Sequence, residues 1–164
     1  CDASQALLEQ GSFYFLPLSG PVPWADAMNL CARHGAHVIW PAGLGVASPR
    51  SGHWVDGSDE LDLLRRRFGL SGSTIDVHTG YRDQCAGRYG GWYWGYASVA
   101  TSCTPFDSLS TGAQPVPSTW TTSTGSTHQS ARWRWDAAHS ASPPGSWHAV
   151  GTDQRSITIC EVEQ

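Results

Sequence analysis

"PWADAMNLCARHGAHVIW" (residues 23–40) is the stretch on which the reading of this chain turns. Trp24, Ala27, Met28 and Cys31 recur at helical spacing, so one face of a helix carries all four. Gly35 supplies the C-terminal stop of that helix. "AHVIW" (36–40) then reads as a short strand. An early helix therefore presents a cysteine from its apolar face.

Upstream, "SFYFLPL" (12–18) is an aromatic, strand-like run ended by proline and glycine. Downstream, "PAGLGVASPRSG" (41–52) is a loop by its glycines and prolines. "DGSDELDLLRRRFG" (56–69) reads as a second helix. Asp56 or Ser58 can cap it, and Asp59, Glu60 and Asp62 suit the positive end of its dipole. Leu61, Leu64 and Phe68 form its buried stripe, and Gly69 ends it. After that, helical periodicity is lost. "TIDVHTGY" (74–81), "GWYWGYASV" (91–99), "ARWRWDAA" (131–138) and "SITICEV" (156–162) read as strands. The segment 104–131 is rich in Ser, Thr, Pro and Gly and reads as one long loop. Helices early, strands late, and cysteines on the first helix and the last strand make an α+β plan.

Length and charge bound the function. The 164 residues suggest a single domain over 1–164, with 1–11 as an N-terminal segment. The net charge of −4 argues against a nucleic-acid partner. The one basic run, Arg65 to Arg67, falls at a helix C-terminus and reads as a solvated helix end. No apolar run approaches a membrane span. The chain opens on Cys1 without a methionine, which fits a mature, secreted, extracellular protein. Five cysteines, Cys1, Cys31, Cys85, Cys103 and Cys160, are widely spaced with no C-x-x-C pair. That spacing suits disulfides in an oxidising compartment rather than zinc or redox chemistry. Five is odd, and Cys1 is the one most easily spared for a partner chain, in a homodimer or a heterodimer.

The order of these pieces resembles the C-type lectin-like domain, from about Phe13 to Glu161. The first helix of that family carries a Trp, a small residue and a Cys, followed by Gly-Ala; here these are Trp24, Ala27, Cys31 and "HGAHV". The family's Trp-x-Trp-Gly is "WYWG" (92–95), and its Ile-Cys-Glu ending is "ICE" (159–161). The resemblance implies two helices flanking small antiparallel sheets, a long loop region, and a bridge from Cys31 to Cys160. The family's second bridge is missing, because its cysteine position falls near Thr152. Cys85 and Cys103 then pair with each other, or Cys1 takes one of them and leaves the other free.

The same resemblance places a calcium-dependent sugar site in the long loop, and this chain departs from it. "GAQPVP" (112–117) lies where the family has Glu-Pro-Asn or Gln-Pro-Asp, so Gln114 matches and Val116 does not. Trp147 stands at the family's Trp-Asn-Asp, followed here by His148 and Ala149. Calcium takes roughly six to eight oxygen ligands, several of them charged. Asp136 is the only carboxylate between 108 and 152. The expectation is no calcium at that position, and no metal or other cofactor.

What that region keeps is aromatic, basic and hydroxyl-rich. Gln114, Trp120, His128, Arg132, Arg134, Asp136 and His148 are the candidate ligand contacts, with Trp120 as the exposed ring. An indole can stack on a pyranose while His, Arg and Gln bond its polar groups. Trp147, Trp92 and Trp94 read as core instead. Trp133 and Trp135 share one strand face, expected to be buried, which turns Arg132 and Arg134 outward. The seven histidines show no H-x-x-x-H or H-E-x-x-H spacing for zinc. No G-x-S-x-G, phosphate loop or close acid pair suggests an enzyme. The preferred expectation is a lectin that binds a carbohydrate or glycoprotein ligand without calcium. The other is a protein-binding or structural module, joined into an oligomer through Cys1.

Overall fold

The computed structural model describes residues 6–9, 11–17, 20–41, 58–83, 92–94, 120–122, 129–138 and 145–163. Three short elements lead into the first helix: β1 (Ala6–Glu9), β2 (Ser12–Phe15) and β3 (Val22–Pro23). Helix α1 (Trp24–Ala32) buries Trp24, Ala27, Met28 and Cys31, the four residues whose spacing marked it. Gly35 adopts φ +68° just beyond its end, the left-handed conformation that stops helices at glycine. Strand β4 (His37–Val38) follows, and α2 (Ser58–Arg67) turns Leu61 and Leu64, both fully buried, into the core.

The second half is mostly strand: β5 (Thr74–Asp83), β6 (Trp92–Trp94), β7 (Trp120–Thr122), β8 (Gln129–Asp136), β9 (Ser146–Gly151), β10 (Arg155–Ser156) and β11 (Cys160–Glu163). One sheet has the order β1-β2-β11-β4, a second has the order β6-β5-β8-β9-β7, and β10 and β3 form a two-stranded ribbon. Neighbours are antiparallel except β7, which runs parallel to β9. The segment 104–131, expected to be loop throughout, therefore contains the strand Trp120–Thr122 and the start of β8 at Gln129. Backbone pairing made both possible despite a polar composition.

Cys31 of α1 and Cys160 of β11 are bridged across 129 residues of sequence. Closing so long a loop stabilises the fold by about 4–5 kcal/mol in the chain-entropy account. Trp24 N–H, at the start of α1, donates to the Thr152 carbonyl at 3.1 Å. Ile39 joins the two larger sheets, donating to Ile159 O at 3.0 Å and accepting from Gly80 N at 2.9 Å. Between them lies one core that includes Tyr14, Phe15, Trp24, Trp133 and Trp147.

Two acids are buried as hydrogen-bond acceptors. Glu60 lies in the first turn of α2, as the dipole reading requires, and is also buried, accepting the Tyr14 hydroxyl at 2.6 Å. Glu161 is buried as well and accepts Trp40 N–H at 2.9 Å. The basic end of α2 is also only partly solvated. Arg65 lies 4.0 Å over the Trp135 ring and pairs with Asp62 at 2.9 Å. A guanidinium over an indole gains cation–π attraction, which explains why this arginine folds back.

Candidate ligand-binding face

Strand β8 reads QSARWRWD, and its alternation sorts side chains between two faces. Its register sets Trp133 opposite both Val77 of β5 and Trp147 of β9. All three are fully buried, so this column closes the core. Ala131 shares that face and is buried, while Trp135, near the strand end, is partly covered. The core reading of Trp147 and the buried face of Trp133 and Trp135 follow from that column.

The opposite face is polar. Its two rows are Asp76–Arg134–Ser146 and His78–Arg132–His148. Arg134 holds Asp76 with a two-pronged contact, Nε to Oδ1 at 2.7 Å and Nη2 to Oδ2 at 2.9 Å. Arg132 Nη1 reaches the same carboxylate at 3.2 Å. The arginines do not project freely into solvent as expected. Their side chains keep 12% and 32% of their exposure, because the register sets a carboxylate beside them. Ser146 Oγ and His148 Nε2 are 2.7 Å apart. Burial, and then Arg134 and Arg132, push the His148 imidazole below its ordinary range, so it is neutral at pH 7.

His78 completes the face from beneath. It is fully buried and its Nε2–H donates to Val22 O at 2.7 Å. Burial pushes its pKa down to about 4. With Nε2 protonated, Nδ1 is an acceptor, and it has no partner among the described residues. The same holds for Arg132 Nε and Ser130 Oγ on the same face. Asp136 stands at the end of β8, opposite Thr74, and its Oδ1 accepts the Ala138 N–H at 2.9 Å. Its carboxylate is thus engaged in the turn after the strand.

Arg132, Arg134 and His148 are brought together, then, and Asp136 sits at the margin. Trp120 lies in β7, its backbone paired with Trp147. Gln114, His128, Cys1, Cys85 and Cys103 lie outside the described residues. Asp76, Ser146 and His78 were not among the expected contacts. Asp76 and His78 alternate with Ile75 and Val77, which marks them as the polar side of β5. Only the register, which neither strand encodes alone, puts them against the arginines. Among the described residues no three His, Cys, Asp or Glu side chains are grouped to hold a metal.

The architecture is the C-type lectin-like fold. The C-type lectin domain of murine dendritic cell inhibitory receptor 2, solved in complex with N-glycan, superposes with a TM-score of 0.55 at 15% identity, covering 100% of this chain and 99% of that one. A Ca2+-dependent type II antifreeze protein in its Ca2+-free form gives 0.57 at 13% identity, over 99% of each chain. The trimeric Kupffer cell C-type lectin receptor Clec4f gives 0.53 at 20% identity, over 99% of this chain and 85% of that one. No protein-family model and no curated relative matches the sequence. No described helix is long and apolar enough to cross a membrane.

Proposed function

We propose that this chain is a secreted carbohydrate-binding domain whose ligand face is the polar side of β5, β8 and β9, working without the calcium that the family resemblance implies. The observation that carries this reading is the clustering of Arg132, Arg134, Asp76, Ser146 and His148 on one partly open sheet face backed by a tryptophan core. Side chains held by strand register and ion pairs are pre-organised, which lowers the cost of binding a polar ligand. The buried bridge from Cys31 to Cys160 supports an oxidising, extracellular setting. The relative solved with N-glycan supports the choice of sugar. In this reading the domain binds and does not catalyse.

The donor set beside Trp147 does not fit calcium. His148 offers a neutral imidazole where the family has a carboxamide, and Ala149 offers no ligand atom. Two guanidinium groups stand next to it, and their charge repels a divalent cation. A glycan array run once with EDTA and once with calcium tests the reading. Binding that survives EDTA is expected, and silence on every glycan in both conditions removes it.

The second reading is a protein-binding or structural module, linked through Cys1 to a partner. It is favoured by the antifreeze protein among the structural neighbours, which shows the fold outside lectins. Mass measured with and without reductant tests the linkage.

A further inference from the structure

We infer that the face formed by Arg132, Arg134 and His148 recognises the oxyanion group of an acidic saccharide. This rests on the sugar-binding reading above and narrows it to a substrate class. The first argument is donor stoichiometry. Arginine only donates hydrogen bonds, and two guanidinium groups carry several more N–H donors than one carboxylate accepts. Asp76 takes Nε and Nη2 of Arg134 and the Nη1 of Arg132. Arg132 Nε, buried without a partner among the described residues, shows that this carboxylate does not satisfy every donor, and the Arg134 side chain, which keeps 32% of its exposure, offers its remaining N–H groups to a ligand. A ligand that fits this face brings acceptors.

The second argument is charge. Two full positive charges share Asp76, among the described residues the one carboxylate in contact with both. Asp136, engaged in its own turn, acts on Arg134 more weakly than Asp76 does. The same arginines act on His148. After burial, Arg134 and Arg132 outweigh Asp76 there in disfavouring the imidazolium. Among the described residues the face thus sets two cations against one contacting carboxylate, although the whole chain carries −4. The third argument is shape: a planar carboxylate or a sulfate matches the guanidinium fork in a way that a single sugar hydroxyl does not.

The test uses the intact chain in EDTA, titrated with sialylated, uronate-containing and sulfated oligosaccharides and with their neutral counterparts. The acidic forms are expected to bind about tenfold tighter or better, the advantage of one charge-assisted hydrogen bond. Preference for the carboxylate arm or for the sulfate arm says which oxyanion is read, and either supports the inference. Inorganic sulfate, with chloride as control, is expected to shift the His148 imidazole resonances and raise the pH at which that ring titrates. His148→Gln and Arg132→Gln are each expected to reduce the acidic preference, with fold monitored by circular dichroism. Equal binding of neutral and acidic sugars overturns the inference and leaves the sugar-binding reading standing. An acidic preference unchanged in both variants also overturns it, since the anion then binds elsewhere. No saccharide binding at all removes both.

Discussion

Arg134 and Asp76, 58 residues apart in sequence, meet through two parallel hydrogen bonds of 2.7 and 2.9 Å. This pair links β5 to β8 on the polar face and sets the direction of both arginines. Replacing Asp76 with Asn keeps the shape but removes the carboxylate that both partly buried guanidinium groups contact, leaving Arg134 only the weaker influence of Asp136. A loss of about 2 kcal/mol in urea unfolding is expected. Asp76 is also the group that favours the charged form of His148, so the variant's imidazole titrates still lower. An NMR pH titration checks that direction.

His78 makes the fold acid-sensitive. Its pKa falls from the ordinary 6.5 to about 4 in the folded protein, chiefly through burial. The unfolded chain then binds this proton more readily than the folded one. The contribution is intact above pH 6.5 and is withdrawn as pH falls toward 4, amounting to about 3 kcal/mol over that window. Unfolding free energies measured at pH 7 and pH 4.5 should differ in this sense. His78→Gln, which keeps an N–H for Val22 O, should flatten the dependence even if it lowers stability at pH 7.

How much of this was legible in the sequence depends on which interaction each residue serves. Helix α1 was readable because Trp24, Ala27, Met28 and Cys31 satisfy one local period, and burial needs nothing further. The alternation of β8 was readable for the same reason. The arginines' partner was not, because register is a property of two strands together. Glu60 looked like a dipole-complementing acid, and only the long-range approach of Tyr14 makes it a buried acceptor. Arg65 looked solvated because its aromatic partner, Trp135, lies 70 residues later. Strand β7 was hidden by its polar composition, since pairing beside β9 uses backbone groups that every residue has.

Gly80 and Gly145 are places where the backbone runs against an indole. A methyl group at Gly80 would overlap the Trp40 ring and sit 3.0 Å from Val38 O. At Gly145 it would overlap the Trp133 ring, at a φ of +95° that favours glycine. Gly80→Ala and Gly145→Ala should each cost about 1–3 kcal/mol through overpacking, and the second should also shift Trp133 fluorescence. Thermal melts check both.

The bridge between Cys31 and Cys160 should dominate stability. Replacing both with Ala is expected to cost about 4–5 kcal/mol, less whatever residual order the unfolded chain retains. Denaturation of the oxidised protein beside the double variant measures this, and an unchanged midpoint would mean that the α1–β11 contact is held by packing alone.

The central claim is that the polar face of β5, β8 and β9 meets the ligand without a metal. NMR mapping of a saccharide titrated into the protein in EDTA tests it most directly. The account predicts saturable shifts concentrated at Asp76, Arg132, Arg134, Ser146 and His148. Shifts confined to other surfaces, or binding that appears only when calcium is restored, would contradict it.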